Sequence, residues 1–330
     1  MRSRNIGALK TGAIGLGCMG MSEFYGHGDD CVSLTVMARA LELGVTLFDT
    51  AEMYGSGRNE ELLSRFFREN PGSREKVVLA TKFGIRREPG QYERVIDNSP
   101  EYARRACEGS LKRLGTDHID LYYVHRIEPG RPIEDTMGGI AKLVREGKIR
   151  AIGLSEPSAK TLERANAVHP VTAVQSEYSL WTRNPEKDGV FETCKRLGTG
   201  FVAYSPLGRG FLTGTITDTK NLPEGDFRGS LPRLQDEYLD ANLRRLFVIE
   251  KIAAKHGCTK AQVALAWVLA KPWGIVPIPG TKRIKYLEEN AAADSVTLDD
   301  ADVALLDESF PVDADYGPRY TAEGMKGIGE

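Results

Sequence analysis

Four polar side chains of complementary chemistry lie at or just beyond the C-terminal ends of short apolar runs in this sequence. They are Asp49, Tyr54, Lys82 and His125, within the segments FDTAEMYGSG, VVLATKFG and DLYYVHR. A carboxylate, a phenol, an ammonium and an imidazole brought together can deliver one proton under close control. Such a set suits the reduction of a carbonyl, in which a proton must reach an oxygen that gains negative charge.

The composition is typical of a globular chain long enough to be an enzyme. The 330 residues are 41% hydrophobic and 27% charged, with a formal net charge of -2 and a pI near 6.3. No basic field therefore indicates nucleic acid or a membrane surface as a partner. The five cysteines are scattered, without metal-like spacing, which predicts reduced thiols, a cytoplasmic protein and no metal site. No apolar run approaches the ~18 residues of a membrane span, and we expect no signal peptide.

Eight short apolar segments, separated by helical patterns, run along the chain. Most are continuously apolar rather than alternating, as expected for strands buried on both faces of a parallel sheet. They lie at 13–17, 45–49, 77–81, 119–124, 151–155, 172–175, 201–205 and 274–278. This order predicts an α/β protein built as a (β/α)8 TIM barrel, and because no linker or tandem repeat interrupts it, residues 1–330 are expected to form a single domain.

Capping residues predict where some of the intervening helices begin and end. Ser99 predicts the start of a helix that Gly115 ends, and Thr259 predicts the start of another that ends before Pro272. The regular alternation breaks between residues 205 and 238, after the seventh strand, where glycine, proline and turn residues accumulate. A loop of this length is usually functional.

A glycine pattern near the N-terminus indicates a second candidate fold, the Rossmann dinucleotide-binding fold. Residues 15–20 read GLGCMG, which matches GxGxxG after a candidate strand, and Asp49 ends the next strand. A genuine fingerprint leads directly into a helix, whereas MSEFYGHGDD precedes the first helical pattern near Cys31. We therefore interpret the glycines as a barrel strand and its exit loop.

In a (β/α)8 barrel the C-terminal ends of the strands meet at one face, where the chemistry is carried out. Asp49, Lys82 and His125 end three consecutive strands, and Tyr54 lies in the loop after the first of these. Singly, each has an ordinary structural interpretation as a turn cap, a core residue or a solvated lysine. Their joint position at one face favours a catalytic site.

The chain resembles the aldo-keto reductase family over nearly all of its length. The resemblance rests on Asp, Tyr five residues later, a Lys ending the next strand and a His ending the one after, and on the segments FDTAEMYGSGRNEELL, LYYVHR, VQSEYSL, AYSPLGRGFLTG and IPGTKRIKYLEEN in the family's order. These segments are most similar to those of the branch that includes perakine-reductase-like and pyridoxal-reductase-like enzymes. The resemblance implies a reductase that converts aldehydes or ketones to alcohols by hydride transfer from NADPH.

The resemblance also implies a role for each of the four polar residues. Tyr54 would donate the proton, and Lys82 would favour the phenolate form of a phenol whose free pKa is about 10. Asp49 would hold Lys82 in place. His125 would hydrogen-bond the substrate carbonyl and orient it, and no metal would be needed.

Further positions match the family's cofactor-binding motifs. Ser155 and Gln175 would hold the nicotinamide carboxamide, and Tyr204 would stack on the ring. Glu156 stands where many relatives have Asn. The matching residues around the pyrophosphate, in a long loop after the seventh strand that would act as a clasp, are Ser205, Leu207, Arg209 and Arg228.

The segment after the eighth predicted strand matches the family's motif for binding the adenosine part of the cofactor. The matching residues are Gly280, Thr281, Lys282, Glu289 and Asn290. Tyr286 stands where many relatives place an arginine for the 2′-phosphate, so Lys282, Arg283 or Lys285 would supply the positive charge. The resemblance thus implies NADPH as the cofactor, with NADH as the alternative.

The loops at the barrel mouth would shape the substrate site. Phe24, Tyr25, Met53 and Trp181 are candidate walls beside Tyr54 and His125, and they favour an aromatic or otherwise apolar small-molecule carbonyl compound. The tail at 311–330 either folds over the same mouth or is disordered. Nothing in the sequence indicates an oligomeric state.

Two other classes of protein would use the same residues differently. A regulatory protein of this fold, like the potassium-channel beta subunits, would retain the cofactor without turnover. A Schiff-base lyase would use Lys82 as a nucleophile, if burial lowered its pKa. The reductase interpretation is favoured because Asp49 would keep Lys82 charged, and because the lyase leaves the cofactor motifs without a purpose.

Overall fold

A computed structural model of the chain describes residues 1–26, 28–88, 91, 93–220, 222–223 and 225–330. Within these residues the strands form an N-terminal hairpin, a small outer ribbon and a barrel. In chain order they are β1 (Ser3–Ile6), β2 (Leu9–Gly12), β3 (Leu16–Gly17), β4 (Leu47–Asp49), β5 (Val78–Phe83), β6 (Ile85–Arg86), β7 (Val95–Ile96), β8 (Leu121–Val124), β9 (Ile152–Ser155), β10 (Ala173–Glu177), β11 (Gly200–Tyr204) and β12 (Val276–Pro277).

Eight of these strands form the predicted (β/α)8 barrel. The parallel order is β3, β4, β5, β8, β9, β10, β11 and β12. The two ends meet through a parallel bridge between Gly17 and Gly280 and a 2.9 Å hydrogen bond from the Gly15 N–H to the Pro277 carbonyl. A Cβ on Gly17 would lie 2.9 Å from the carbonyl oxygen of Ile278, so glycine permits this close approach.

The path of the chain after β3 excludes the Rossmann alternative. A short 3-10 turn at Met19–Met21 follows the strand, and the next helix begins only at Asp30. No helix N-terminus therefore follows the glycines directly, as a dinucleotide fingerprint requires. The interpretation of this segment as a barrel strand with its exit loop is confirmed.

The helices lie between the barrel strands and after the last of them. Two caps confirm the sequence prediction: the Ser99 hydroxyl accepts a hydrogen bond from the Tyr102 N–H, and Gly115 is left-handed with φ of 63°. Thr259 forms a capping box with Gln262. The helices are α1 (Asp30–Glu42), α2 (Arg58–Glu69), α3 (Pro100–Leu114), α4 (Ile133–Arg145), α5 (Ala159–Val168), α6 (Val190–Leu197), α7 (Asp236–His256), α8 (Lys260–Ala270), α9 (Ile284–Ala292), α10 (Asp300–Ser309) and α11 (Ala322–Met325).

Two large apolar clusters stabilise this arrangement. One fills the barrel and includes Leu47, Tyr123 and Val202, with Ile6 of the N-terminal hairpin joining it. The other lies between strands and helices and includes Trp267, which is fully buried. Burial of this apolar surface is the main source of stability and fixes the strand ends that carry the polar residues.

The described residues of the long loop and those of the C-terminal tail form defined turns and contacts. The loop contains 3-10 turns at Gly208–Thr213, Phe227–Ser230 and Pro232–Leu234, and its Phe227 N–H donates to the Phe24 carbonyl. The tail folds over the barrel mouth, where Tyr320 lines the central cavity. Of the two outcomes left open for residues 311–330, the structure has the folded one. Among the described helices, none is long and apolar enough to cross a membrane.

Candidate active site

A cavity of about 790 Å³ opens at the C-terminal ends of the barrel strands. Most of the residues singled out in the sequence line it, from catalytic candidates to cofactor and substrate candidates. They are Asp49, Tyr54, His125, Ser155, Gln175, Tyr204, Ser205, Leu207, Arg209, Arg228, Gly280, Thr281, Lys282, Glu289, Asn290, Phe24, Tyr25 and Met53.

Asp49, Lys82 and Tyr54 form a continuous polar chain at the base of this cavity. The Lys82 ammonium is fully buried behind the cavity wall and donates hydrogen bonds to Asp49 Oδ1, to the Thr50 carbonyl oxygen at 2.8 Å and to the Tyr54 hydroxyl at 3.4 Å. Asp49 Oδ2 accepts a 2.7 Å hydrogen bond from Gln175 Nε2. Lys82 is thereby held with its charge directed at the phenol.

Burial and charge act in opposite directions on this chain. Burial raises the pKa of Tyr54, and the nearby Lys82 charge only partly offsets that rise, so the phenol stays protonated at neutral pH. Burial acts to lower the pKa of Lys82, but the negative charge of Asp49 and the contact with Tyr54 outweigh it and raise the pKa. The site therefore holds a neutral phenol beside a lysine that stays cationic.

His125 follows β8, the strand that pairs with β5, and its ring lies beside the ring of Tyr54. Its ring lies 5.8 Å from the Tyr54 ring, centroid to centroid, at an interplanar angle of 85°. Burial, together with the charges of Lys82 and Arg126, holds the pKa of His125 well below its usual value. The imidazole is therefore neutral near pH 7, and its Nδ1 atom has no hydrogen-bond partner among the described residues.

The residues expected to hold a nicotinamide carboxamide make hydrogen bonds within the protein. Ser155 Oγ accepts a 3.1 Å hydrogen bond from Arg126, and Gln175 donates to Asp49. The Tyr204 hydroxyl donates to Glu156 Oε1 at 2.7 Å and lies 3.1 Å from the Tyr320 hydroxyl. Gln175 thus contributes to holding Asp49, a role that the sequence pattern did not reveal.

The turn after β11 has the strained backbone of a binding loop. Ser205 has a φ of 49° and Arg209 a φ of 58°, values uncommon for residues other than glycine. The Arg209 guanidinium is paired with Glu177 at 2.9 Å and lies over the Tyr320 ring. Arg228 is paired with Asp226 at 2.7 Å. Both predicted arginines line the cavity, each with a carboxylate partner.

Several polar residues of the adenosine-side segment lie at the N-terminus of α9. Lys282 Nζ donates to the carbonyl oxygens of Tyr25 at 2.8 Å and Gly26 at 3.2 Å, so it ties this segment to the first loop of the barrel. Arg283 and Tyr286 also line the cavity, and the Arg283 guanidinium lies 5.9 Å from the centre of the Tyr286 ring. Of the three predicted cations, Lys282 and Arg283 reach the cavity and Lys285 does not line it.

One candidate substrate wall lies elsewhere. Trp181 does not line the cavity, because its ring is buried and stacks on Phe211 with centroids 4.1 Å apart. Arg233 covers the same ring at 4.6 Å. Trp181 is therefore a core aromatic rather than a wall of the cavity.

Three further residues lie at or beside the site, although none of them is among the predicted catalytic, cofactor or substrate residues. Arg126 lines the cavity directly after His125, within the segment LYYVHR that carried the histidine. Arg319 pairs with Glu156 at 3.1 Å, and Tyr320 follows it into the cavity. Adjacency to His125 could have identified Arg126, whereas the tail residues have no local signal because their partners are more than 100 positions away.

A model of the Aldo/keto reductase family matches residues 13–310 of the chain. The sequence is 47% identical to the aldo-keto reductase yakc [NADP(+)] of Schizosaccharomyces pombe, over 96% of this chain and 94% of that protein. It is 45% identical to probable aldo-keto reductase 1 of Glycine max, over 94% of this chain and 89% of that protein.

Solved structures give the same result. The fold superposes on the glycerol dehydrogenase of Gluconobacter oxydans with a TM-score of 0.85 and 27% identity, covering 97% of this chain and 99% of that one. A thermostable aldo-keto reductase in complex with the inhibitor epalrestat matches with a TM-score of 0.75 and 31% identity, covering 94% of this chain and all of that one.

Proposed function

The chain belongs to the aldo/keto reductase family, and from that premise we propose that it is an NADP-dependent oxidoreductase that reduces aldehydes or ketones to alcohols. The observation that carries the proposal is the contact of a buried lysine with a cavity-lining phenol, 3.4 Å from Lys82 Nζ to the Tyr54 hydroxyl. A protonated phenol that is polarised by a fixed cation is suited to donate a proton to an oxygen gaining negative charge.

The chemistry of the cavity wall supports a phosphorylated dinucleotide as cofactor. Arg209, Arg228, Lys282 and Arg283 line the cavity, and guanidinium and ammonium groups are the usual partners of phosphate. The N-terminus of α9 follows Arg283 and adds backbone N–H groups that favour an anion. We propose that Ser205 and Leu207 lie along the pyrophosphate, and that Gly280, Thr281, Glu289 and Asn290 hold the adenosine.

NADPH, when bound, supplies the hydride that reaches the carbonyl carbon. Tyr54 gives its proton to the carbonyl oxygen and is reprotonated from solvent. Lys82, held by Asp49, stabilises the phenolate that exists between these two transfers. Neutral His125 donates a hydrogen bond that orients the carbonyl oxygen toward Tyr54. Tyr204 and Ser155 border the place of the nicotinamide, and Phe24, Tyr25 and Met53 form the apolar walls of the substrate site.

The placement of Lys82 argues against a Schiff-base lyase. The ammonium is fully buried, does not line the cavity and is paired with Asp49, which stabilises the charged, non-nucleophilic form. A nucleophilic lysine needs the opposite, an accessible amine with a lowered pKa. A regulatory protein of the same fold remains the competing function, and it differs from the enzyme in turnover.

The test is a turnover assay with the whole chain against aromatic and aliphatic aldehydes and ketones, with NADPH and NADH in parallel. The proposal predicts alcohol formed in equal amount to the NADPH oxidised. Tight NADPH binding without turnover of any member would favour the regulatory function. If borohydride treatment in the presence of a labelled carbonyl compound leaves that label attached to Lys82, a Schiff base has formed there, and the lyase is favoured.

The cofactor assignment predicts a specific effect at the adenosine end of the cavity. Arg283→Ala should weaken NADPH binding by about tenfold and leave NADH binding nearly unchanged, because only NADPH carries the 2′-phosphate. Lys285→Ala is the matched control, since it removes a neighbouring exposed cation that does not line the cavity. Fluorescence titration of both cofactors measures the effect, and equal weakening of NADPH and NADH by Arg283→Ala would contradict the assignment.

We further propose that residues 1–330 act as one catalytic domain and that the protein works in the cytoplasm. The first proposal is supported by the family match over 13–310 and by tail contacts at the same cavity. The second is supported by five free cysteines, which are typical of a reducing compartment.

A further inference from the structure

Arg126 is a buried cation without a carboxylate partner at the catalytic cavity. Its side chain lines the cavity with the residue only 6% exposed, and Nη1 donates to the His125 carbonyl oxygen at 2.8 Å and to Ser155 Oγ at 3.1 Å. In the part of the chain that the structure describes, Nε has no hydrogen-bond partner and Arg126 forms no ion pair. A buried charge in this state is costly unless another group compensates for it.

Two other arginines at the barrel mouth do have carboxylate partners. Arg209 pairs with Glu177 at 2.9 Å, and Arg319 pairs with Glu156 at 3.1 Å. Glu156 is already engaged by Arg319, the Tyr204 hydroxyl and the Glu177 N–H. The protein therefore pairs these neighbouring cations with carboxylates, whereas Arg126, beside His125, has no ion-pair partner among the described residues.

One nitrogen of the Arg126 guanidinium is left open to a ligand in the cavity. Nη1 is occupied by two protein oxygens and Nε is enclosed by the protein, whereas Nη2 is not enclosed and makes no hydrogen bond within the described residues. A charged guanidinium N–H forms a short, strong hydrogen bond with a carboxylate oxygen. The hydrogen bonds through Nη1 fix the plane of the group and so orient Nη2 in advance.

We propose that Arg126 is a specificity-determining residue that binds a carboxylate on the substrate, so that the enzyme prefers aldehydes and ketones that carry a carboxylate. The proposal rests on the proposed reductase function, because Tyr54 and His125 hold the carbonyl oxygen while Arg126, the next residue, holds the acid. The apolar walls at Phe24 and Met53 then contact the carbon skeleton between the two groups.

The first test compares a matched pair of substrates, 4-carboxybenzaldehyde and methyl 4-formylbenzoate. For the natural chain, kcat/KM for the acid should exceed that for the ester by about tenfold or more, mainly through KM. Arg126→Gln should bring the ratio close to one, and Arg126→Lys should give an intermediate ratio because it keeps the charge without the planar group that Nη1 holds in place. Arg131→Gln, which removes an arginine paired with Glu128 outside the cavity, should keep the natural ratio. A natural ratio near one, or the same ratio after Arg126→Gln, would overturn the proposal.

Two binding measurements separate this proposal from the reductase function and from a cofactor role for Arg126. Calorimetric titration with 4-(hydroxymethyl)benzoate in the presence of NADP needs no turnover, and Arg126→Gln should weaken this binding by about tenfold. If neither aldehyde is reduced, the reductase proposal fails, and this titration alone decides the carboxylate site: equal binding to both proteins overturns it. NADPH titration is the third arm, in which a loss of NADPH affinity as large as the loss for the acid would assign Arg126 to the cofactor and overturn the proposal.

Discussion

At the scale of single residues, the proposed proton donor is separate from the charge proposed to activate it. Tyr54 lines the cavity, whereas Lys82 lies behind it, fully buried and paired with Asp49. We expected Lys82 to favour the phenolate, and its charge does act in that direction, but burial has the larger effect and the net pKa of Tyr54 is raised. In the proposed mechanism the protonated phenol donates, and the lysine stabilises the anion that is then formed.

These pKa directions predict the pH dependence of reduction. Reduction needs Tyr54 protonated, and its raised pKa keeps that form present through neutral and moderately alkaline pH. The lowered pKa of His125 keeps the imidazole neutral over the same range. The kcat of reduction should therefore show no inflection between about pH 6 and 8, where an ordinary histidine titrates, and should fall only at alkaline pH.

Steady-state kcat measured across this range, at saturating NADPH and substrate, checks the prediction. A clear inflection near pH 6.5 would contradict it, because it would mean that His125 changes charge during turnover.

The four catalytic candidates could be found from the sequence because each one ends an apolar run or follows it closely. Their supporting contacts could not be found in this way. The Gln175 amide reaches Asp49 across 126 positions, and the Arg126 guanidinium reaches Ser155 across 29 positions. These pairs form only when the barrel closes, so local spacing contains no signal for them.

At the scale of elements, the helix caps show how a local sequence signal sets the start of a helix. Thr259 Oγ1 accepts from the Gln262 N–H at 3.2 Å, and Gln262 Oε1 accepts from the Thr259 N–H at 3.0 Å. This capping box starts α8, which carries the buried Trp267 and whose first residues line the cavity. The start of α8 could be predicted because this signal lies within four consecutive residues.

The capping box predicts the effect of a single substitution on stability. Thr259→Ala should lower the free energy of unfolding by about 1 kcal/mol, since the hydroxyl that accepts a hydrogen bond from the Gln262 N–H is lost. Thr259→Ser keeps a hydroxyl at the same position and should retain most of the stability. Urea denaturation of the three proteins makes the comparison, and an unchanged midpoint for Thr259→Ala would contradict the role of the cap.

The elements that the sequence predicts are specified by local signals, whereas the others depend on contacts between distant parts of the chain. Most helix and strand positions were predictable from apolar runs and caps, whereas the N-terminal hairpin β1–β2 and the ribbon β6–β7 were missed because their few residues alternate weakly. The sequence does not decide the fold of the tail either, for a different reason. Its contacts with Glu156 and Tyr204 depend on the complete barrel.

At the scale of the whole molecule, Glu177 joins segments that are far apart in the chain. It lies at the end of β10, only 2% exposed, and pairs with Arg209 of the long loop and, at 3.8 Å, with Arg233 before α7. Arg319 of the tail lies 4.0 Å away. The carboxylate thus links the barrel, the long loop after β11 and the tail around the cavity mouth.

This arrangement predicts a pH-dependent contribution to stability. Burial alone would raise the pKa of Glu177, but the charges of Arg209, Arg319 and Arg233 lower it from 4.5 to about 2. Because the folded-state pKa is depressed, the contribution is present above the unfolded value and is lost as the pH falls from about 4.5 through 2. The shift corresponds to roughly 3 kcal/mol at neutral pH.

Glu177→Gln should therefore lower the free energy of unfolding at pH 7 and flatten its dependence on pH between 4.5 and 2. Glu192→Gln, which neutralises an exposed carboxylate on α6, is the control and should change neither quantity appreciably. Denaturant titrations at several pH values decide the point, and an unaltered slope for Glu177→Gln would show that the carboxylate contributes little.

The central claim, that Tyr54 protonates a carbonyl while a hydride is delivered from NADPH, is tested most directly by comparing Tyr54→Phe with the natural protein at saturating NADPH and aldehyde. The account predicts that kcat falls by about a hundredfold or more while the NADPH dissociation constant stays within a few-fold, because the missing proton matters in the transition state. An unchanged kcat would contradict the account and remove Tyr54 from the mechanism.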